Sequence, residues 1–367
     1  MTNGGAVISC AGILGTMFGR MICAALLMSV SCFARELVCV SDEKGGDITL
    51  IDPATQQVVG HIPVGKRPRG IHASPDGRTL YVAVSGRPIE GPPKLDARGN
   101  PIFQDDDDDD EKSDHAADGI AVVDLLSRKF VKKLPAGSDP EQFAVAADGK
   151  HLFISNEDVG TLSVTNIDTG RVEHIVPVAK EPEGVCVSPD GRQVYVTCET
   201  NGDVFAIDTS SYKVTANMNV PPRPRNAIFL PDGSRAFVPS ESSGQLSVID
   251  VKAEKVLGTV DLPRGARPMG MVVSPDGKRL YATTGRGASV LVIDTVSLEV
   301  LNTIAVGKRP WGLAMSGDGS RLFAANGPSN DVSVIDTKAE KEIARISAGD
   351  SPWGVTVVDV PEATGSR

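Results

Sequence analysis

Seven times along the chain, a proline stands between two residues that could do chemistry. The pairs are Arg67 with Arg69, Asp139 with Glu141, Glu181 with Glu183, Arg223 with Arg225, Arg267 with Met269, Arg309 with Trp311, and Ser351 with Trp353. Arginine suits two-pronged recognition of carboxylate or phosphate, and tryptophan offers a broad amphipathic face. Acidic pairs fall at two successive positions, arginines at four of the others, and the two tryptophans at the last two. Gathered in one place, these residues would suit an anionic small molecule or an anchor from a partner protein. The plainer reading is a solvated rim of Arg–acid pairs, each contributing little.

A second chemical feature is the run Asp105, Asp106, Asp107, Asp108, Asp109, Asp110 and Glu111. Such like charges repel and bury nothing, so the segment is expected to be unstructured alone. It is a weak calcium candidate, because it lacks the glycine and the spaced ligands of an EF-hand loop. We expect it instead to act as an electrostatic arm that covers Arg67 and Arg69 and swings to a basic partner.

Other chemistries are missing. No Cys-x-x-Cys-His attaches a c-type haem, and neither His-Glu-x-x-His nor Gly-x-Ser-x-Gly occurs. His61, His72, His115, His151 and His174 share no metal-binding spacing. No metal site is expected with confidence beyond the weak calcium candidate, and no catalytic residue is assigned. A net charge of -10 and 4% aromatic residues argue against a nucleic-acid partner.

The elements that must position the proline-flanking residues come from a repeat. Pro68, Pro140, Pro182, Pro224, Pro268, Pro310 and Pro352 are spaced by 72, 42, 42, 44, 42 and 42 residues. Strand-closing aspartates keep step at Asp52, Asp124, Asp168, Asp208, Asp250, Asp294 and Asp336, as does a "PDG"-like turn in most units. Each unit holds four short runs rich in β-branched residues with turn residues between them and no helical period. This predicts an all-β protein, a seven-bladed β-propeller of four-stranded antiparallel blades. The chain begins on second-type strands and ends on "PWGVTVVDV", a first-type strand. The ring should therefore close with a C-terminal inner strand and three N-terminal strands. The first strand of each blade would line a central channel, with the proline-flanking residues at one mouth. The 72-residue interval places an insertion at about 87–117, between the second and third strands of one blade.

The unit "VSPDGxxLYVT…VxVID" resembles the YVTN-repeat β-propellers. Over residues 35–360 the chain is similar to the PQQ-dependent catabolism-associated β-propeller proteins. That resemblance implies an exported, non-enzymatic propeller supporting a periplasmic quinoprotein alcohol-oxidation system, as a docking, cofactor-delivery or assembly factor. The implied partner is a quinoprotein dehydrogenase or its cytochrome. PQQ enters by this association only, and tight binding is not expected. One alternative is a lactonase-like hydrolase acting at the mouth, since lactonases of similar repeats place Glu, Arg and His there. Another is a surface-associated scaffold or adhesion propeller.

Residues 1–34 read as a signal peptide: Arg20, an apolar run, and a small-residue end at Ala34. This predicts a periplasmic chain without a membrane span after cleavage, with a short tail at 361–367. Cys39, Cys186 and Cys198 remain, an odd number, and are expected as buried thiols.

Overall fold

The computed structural model describes residues 35–89 and 113–361. The chain divides into Met1–Cys32 and Phe33–Arg367, and only the second unit is described below. The signal peptide, the acidic run 105–111 and residues 362–367 of the tail lie outside the described residues. Among the described residues, no helix is long and apolar enough to cross a membrane.

The described chain is a seven-bladed propeller of four-stranded antiparallel sheets. The closure blade sets Pro352–Val360 innermost, followed by Arg35–Asp42, Asp47–Asp52 and Gln57–Pro63. Its joining register pairs Val38 with Val357 and Cys39 with Thr356. The remaining blades, two to seven, span residues 71–134, 140–177, 182–219, 228–261, 271–305 and 310–347.

Strand character follows from position between neighbours. The second and third strands of a blade, such as Thr79–Val84 and Gly119–Asp124, are buried almost throughout. They read as continuous apolar runs because a blade packs on both faces. The outermost strand Lys129–Leu134 is exposed except at Leu134 and is correspondingly charged. The core lies between blades. Leu37, Ile48 and Leu50 of the closure blade pack with Leu80, Val82 and Val123 of blade two. Val38 and Val40, on its other face, pack with Phe323, Val332 and Val334 of blade seven.

The recurring turn residues do local structural work. In "SPDG", Ser74 Oγ donates to Asp76 at 2.5 Å, and Asp76 accepts the Arg78 amide at 3.1 Å. Gly77 takes φ 67°, where a side chain would be strained. The strand-closing aspartates accept amides of the next turn, as Asp208 does from Ser210 and Ser211. One member of that series needs correction. In blade three the strand ends at Asn166, whose side chain accepts the amides of Asp168 and Thr169. Asn166 therefore holds the repeat position, since its carbonyl oxygen caps the turn as a carboxylate would, and Asp168 lies within the turn.

All three described cysteines are free; Cys39 and Cys198 are buried, and Cys186 is half-buried. Burial pushes each thiol up to about 12, so none is a reactive thiolate at neutral pH.

Successive inner strands approach too closely for a side chain at one position. A Cβ on Gly354 would stand 2.5 Å from the Arg69 carbonyl oxygen of the next blade. Gly354→Ala should therefore cost about 1–3 kcal/mol in urea unfolding, as overpacked sites do. Across the insertion, the Asp114 amide donates to the Gly86 carbonyl at 3.1 Å, which brings the flanking ends together. Replacing residues 90–112 by a short turn should leave a single cooperative transition, with Tm unchanged or about 1–2 °C higher.

Candidate functional site: a buried arginine–carboxylate cluster at the channel mouth

The backbone around each repeated proline separates the two flanking side chains. The residue ahead of it adopts positive φ in six blades: 45° at Arg67 and Asp139, 53° at Glu181, 60° at Arg223, 49° at Arg309 and 62° at Ser351. That conformation is unfavourable for an L-residue, by about 1–2 kcal/mol. In four of these blades the carbonyl of that residue is held by the residue that follows the blade's second strand. Glu157 N–H donates to Asp139 O at 3.1 Å, Glu199 to Glu181 at 2.9 Å, and Glu241 to Arg223 at 2.9 Å. Glu43 reaches Ser351 in the same way at 2.9 Å. These main-chain bonds deliver four glutamates to the mouth.

The residues after the prolines form an inner ring. In blade order from the closure blade they are Trp353, Arg69, Glu141, Glu183, Arg225, Met269 and Trp311. Arg69, Glu141, Glu183, Met269 and Trp353 are buried, and Arg225 and Trp311 are partly so. The residues ahead of the prolines are on the whole more open, although Asp139 is buried.

Charges condense into two clusters. In the first, Arg69 bonds Asp139 at 2.6 Å, contacts Glu141, and lies 3.7 Å from Glu157. Arg67 pairs with Glu43 at 3.1 Å and lies 3.6 Å from Asp139; Arg87 reaches Asp158 at 2.9 Å. In the second, Arg225 contacts Glu183 and Glu199 and bonds Glu241 at 2.6 Å, while Arg223 pairs with Glu199 at 2.8 Å. Arg225 also sits 5.7 Å from the Trp311 ring, and Trp311 stacks on Trp353 at 5.5 Å.

The mouth arginines therefore do not stand as an open anion-binding arc. Arg67, Arg69, Arg223 and Arg225 are engaged by carboxylates, because the second-strand glutamates arrive beside them. The Arg–acid pairs between blades are present, but at Arg69, whose side chain is 3% exposed, they are buried rather than solvated. Arg267 donates instead to the Ser242 carbonyl at 2.8 Å. Arg309 is exposed and lies over Trp311 at 4.8 Å. Among the described residues, neither Arg267 nor Arg309 forms an ion pair. Glu181 bonds Thr200 of its own blade.

Six participants were not singled out from the sequence: Glu43, Arg87, Glu157, Asp158, Glu199 and Glu241. Four of them carried a signal. Each glutamate follows the last residue of a second strand, as in "SDE", "SNE", "TCE" and "PSE".

The carboxyl groups are driven apart in acidity. Burial pushes Asp139 upward, but Arg69 and Arg67 outweigh it and hold the group well below the usual carboxylate range. Glu157 is pushed up to about 8 by burial and by the Asp139 charge. Burial also raises Glu183 well above its ordinary value, despite Arg225. Glu241 is lowered because Arg225 and Arg223 outweigh its burial. The Asp139 charge beside Glu157 helps keep that carboxyl protonated until about pH 8, so Glu157 is the member of the pair that can take up and return a proton near neutrality.

Among the described residues, no histidine pairs with Asp139 or Glu157. His72 is edge-on to Phe143 at 5.0 Å, and burial lowers it to about 4. His115 turns the same nitrogen, Nδ1, toward both Ser138 at 3.1 Å and Asp118 at 3.2 Å. A Ser–His–Asp relay requires both nitrogens, so this is not a triad.

Two family models match parts of the chain: a YNCE-like beta-propeller over residues 115–235, and the lactonase, 7-bladed beta-propeller over residues 187–349. The lactonase segment holds Glu199, Arg225, Glu241, Arg309 and Trp311; Asp139 and Glu157 lie outside it. Among curated proteins, Antigen Lp49 of Leptospira interrogans is 28% identical over 140 residues. That match spans 33% of this chain and 31% of the antigen's length. The periplasmic gluconolactonase of Pseudomonas aeruginosa aligns with TM-score 0.67 and 21% identity, over 89% of this chain and 99% of that one. A putative 6-phosphogluconolactonase of Bacteroides fragilis gives 0.68 and 17%, over 89% and 98%. The hydrazine synthase of Kuenenia stuttgartiensis gives 0.63 and 21%, over 79% and 89%. At these identities the solved structures establish likeness of fold, that of a seven-bladed propeller.

A pH signature follows from Glu157. Its folded-state pKa is raised from 4.5 to about 8, so the folded chain keeps a proton that the unfolded chain loses. The stability this supplies is present at acid pH and is lost as pH rises from 4.5 through about 8. Glu157→Gln should flatten that decline in urea midpoints measured across the range, leaving stability at pH 9 equal or higher.

Proposed function

We propose that the chain is a propeller hydrolase that opens lactones at this channel mouth. The observation that carries the reading is the Asp139–Glu157 carboxyl pair beside Arg67 and Arg69. The likeness of residues 187–349 to seven-bladed lactonases supports it. In the proposed reaction, ionised Glu157 takes a proton from water as the water oxygen bonds the lactone carbonyl carbon. A neighbouring guanidinium stabilises the tetrahedral oxyanion. The ring C–O bond then breaks, and the proton passes to the departing ring oxygen, giving a hydroxy acid. Trp311 would receive the C–H face of a sugar ring, and Arg309 an anionic substituent on it.

A second reading keeps the expectation of an exported, non-catalytic propeller that docks on a quinoprotein dehydrogenase or its cytochrome. The observation favouring it is that most mouth arginines are already satisfied within the chain. That leaves Arg309 and Trp311 as a small contact surface rather than a charged catalytic cavity.

Gluconolactone and its phosphate ester separate the two readings when acid release is followed at constant pH against spontaneous hydrolysis. On the hydrolase reading, the wild-type rate rises with pH to a plateau above about 8, and Glu157→Gln loses about 100-fold or more. No acceleration over the spontaneous rate, or a Glu157→Gln profile identical to wild type, would remove the hydrolase reading.

A further inference from the structure

The closure blade departs from the other blades at one buried position. Where the second strand ends, blade seven places Asn326 opposite Asp331, with Ser333 and Arg345 opposite each other on the next two strands. The Asn326 amide donates to Asp331 at 2.7 Å and to Ser333 at 2.9 Å, and Arg345 lies 4.0 Å from Asp331. Blade three also has an asparagine here, Asn156, donating to Ser163 at 2.8 Å. In the closure blade the corresponding register sets Asp42 opposite Asp47 and Thr49 opposite His61. The amide donor has become a second carboxylate, and the guanidinium an imidazole.

The substitution leaves an imbalance. Asp42 is 0% exposed. One of its oxygens accepts from Thr49 at 2.6 Å, and the other, Oδ1, is buried without a hydrogen-bond partner. His61 Nδ1 lies 3.3 Å from Asp47 and 3.2 Å from Thr49 Oγ1. One ligand atom from each of Asp42, Asp47 and His61 falls within 4.8 Å of the others. A tetrahedral ion with bonds of about 2.0 Å sets its ligand atoms roughly 3.3 Å apart. The imidazole side is half-open, so an ion can enter from solvent and keep a water in the fourth position.

We propose that Asp42, Asp47 and His61 form a binding site for a divalent transition-metal ion of the zinc class. One nitrogen and two carboxylates suit zinc or cobalt, whereas calcium and magnesium favour all-oxygen sets. The site is independent of the hydrolase reading, since none of its residues belongs to the cluster described above. Its role is to brace the three N-terminal strands, Arg35–Asp42, Asp47–Asp52 and Gln57–Pro63, against which the C-terminal strand closes the ring. The Gly349 amide donates to Thr49 Oγ1 at 3.1 Å, and the Asp350 carbonyl accepts from Gly45 at 3.2 Å. A bound ion would tie Arg35–Asp42 and Asp47–Asp52 to each other and rigidify the surface on which the final strand arrives.

The test uses the full chain, stripped with chelator and then titrated with Zn2+, Co2+ or Ca2+ by calorimetry and thermal unfolding. We expect one Zn2+ per chain, a Tm raised by about 5 °C at a hundredfold excess over Kd, and no effect of Ca2+. Bound Co2+ should show visible ligand-field absorption. Asp42→Asn restores the residue used in two other blades, so it should fold with an equal or higher metal-free Tm and lose the zinc response. His61→Ala, at a half-exposed position, should lose the response and the Co2+ spectrum. A zinc response retained by both variants would overturn the site, as would a wild type that binds no zinc. Loss of the response on neutralising residues 105–111 alone would overturn it too, by assigning the metal to the acidic run.

Discussion

Everything at the mouth depends on how closely neighbouring inner strands approach one another. In five blades the residue two places beyond the repeated proline is glycine: Gly70, Gly184, Gly270, Gly312 and Gly354. A Cβ at any of these would press against the carbonyl oxygen of the post-proline residue in the next blade. The absence of a side chain lets each inner strand lie against its neighbour's backbone. Hydroxyls of the second strands secure the same carbonyls, as Ser41 does for Arg69 at 2.6 Å and Thr283 for Trp311 at 2.9 Å. The post-proline side chains are thus fixed in a ring narrow enough to touch.

Narrowness explains the electrostatics. Held in so small a ring, arginines and carboxylates leave bulk water, and burial penalises each of them. The penalty is tolerable only when every charge has partners, so Arg225 gathers three carboxylates and Asp139 lies among three arginines. Acids outnumber bases in the cluster, and the excess is resolved by protonation. Glu157 and Glu183 carry that burden because burial presses on them harder than their arginines relieve. A proton-bearing carboxyl beside an ionised one arises from the packing itself. That is why a mouth whose charges are largely paired still contains a carboxyl, Glu157, whose pKa is raised to about 8.

The closure blade meets a different demand. Its four strands come from opposite ends of the chain, and its sheet is packed on both faces by blades that were made continuously. It is also the blade in which a carboxylate, Asp42, stands where Asn156 and Asn326 satisfy themselves by donating hydrogen bonds.

The sequence alone determined the architecture. A 42-residue period, turn chemistry at fixed offsets and an unpaired first-type strand at the end leave one way to pair strands and close the ring. Those are local signals, repeated seven times, so a single lapse such as Asp168 for Asn166 cost nothing. The sequence also marked the proline-flanking residues as the variable positions. It did not separate the two flanks, because that depends on a positive φ stabilised by a hydrogen bond from another strand. Nor did it reveal that Glu157, Glu199 and Glu241 share the site with Arg69 and Arg225, residues far from them in the chain or on another strand. Whether an arginine is open or satisfied depends on the distance to the nearest carboxylate and on how much water remains between them. Both are set by the approach of one blade to the next, which only the tertiary structure decides.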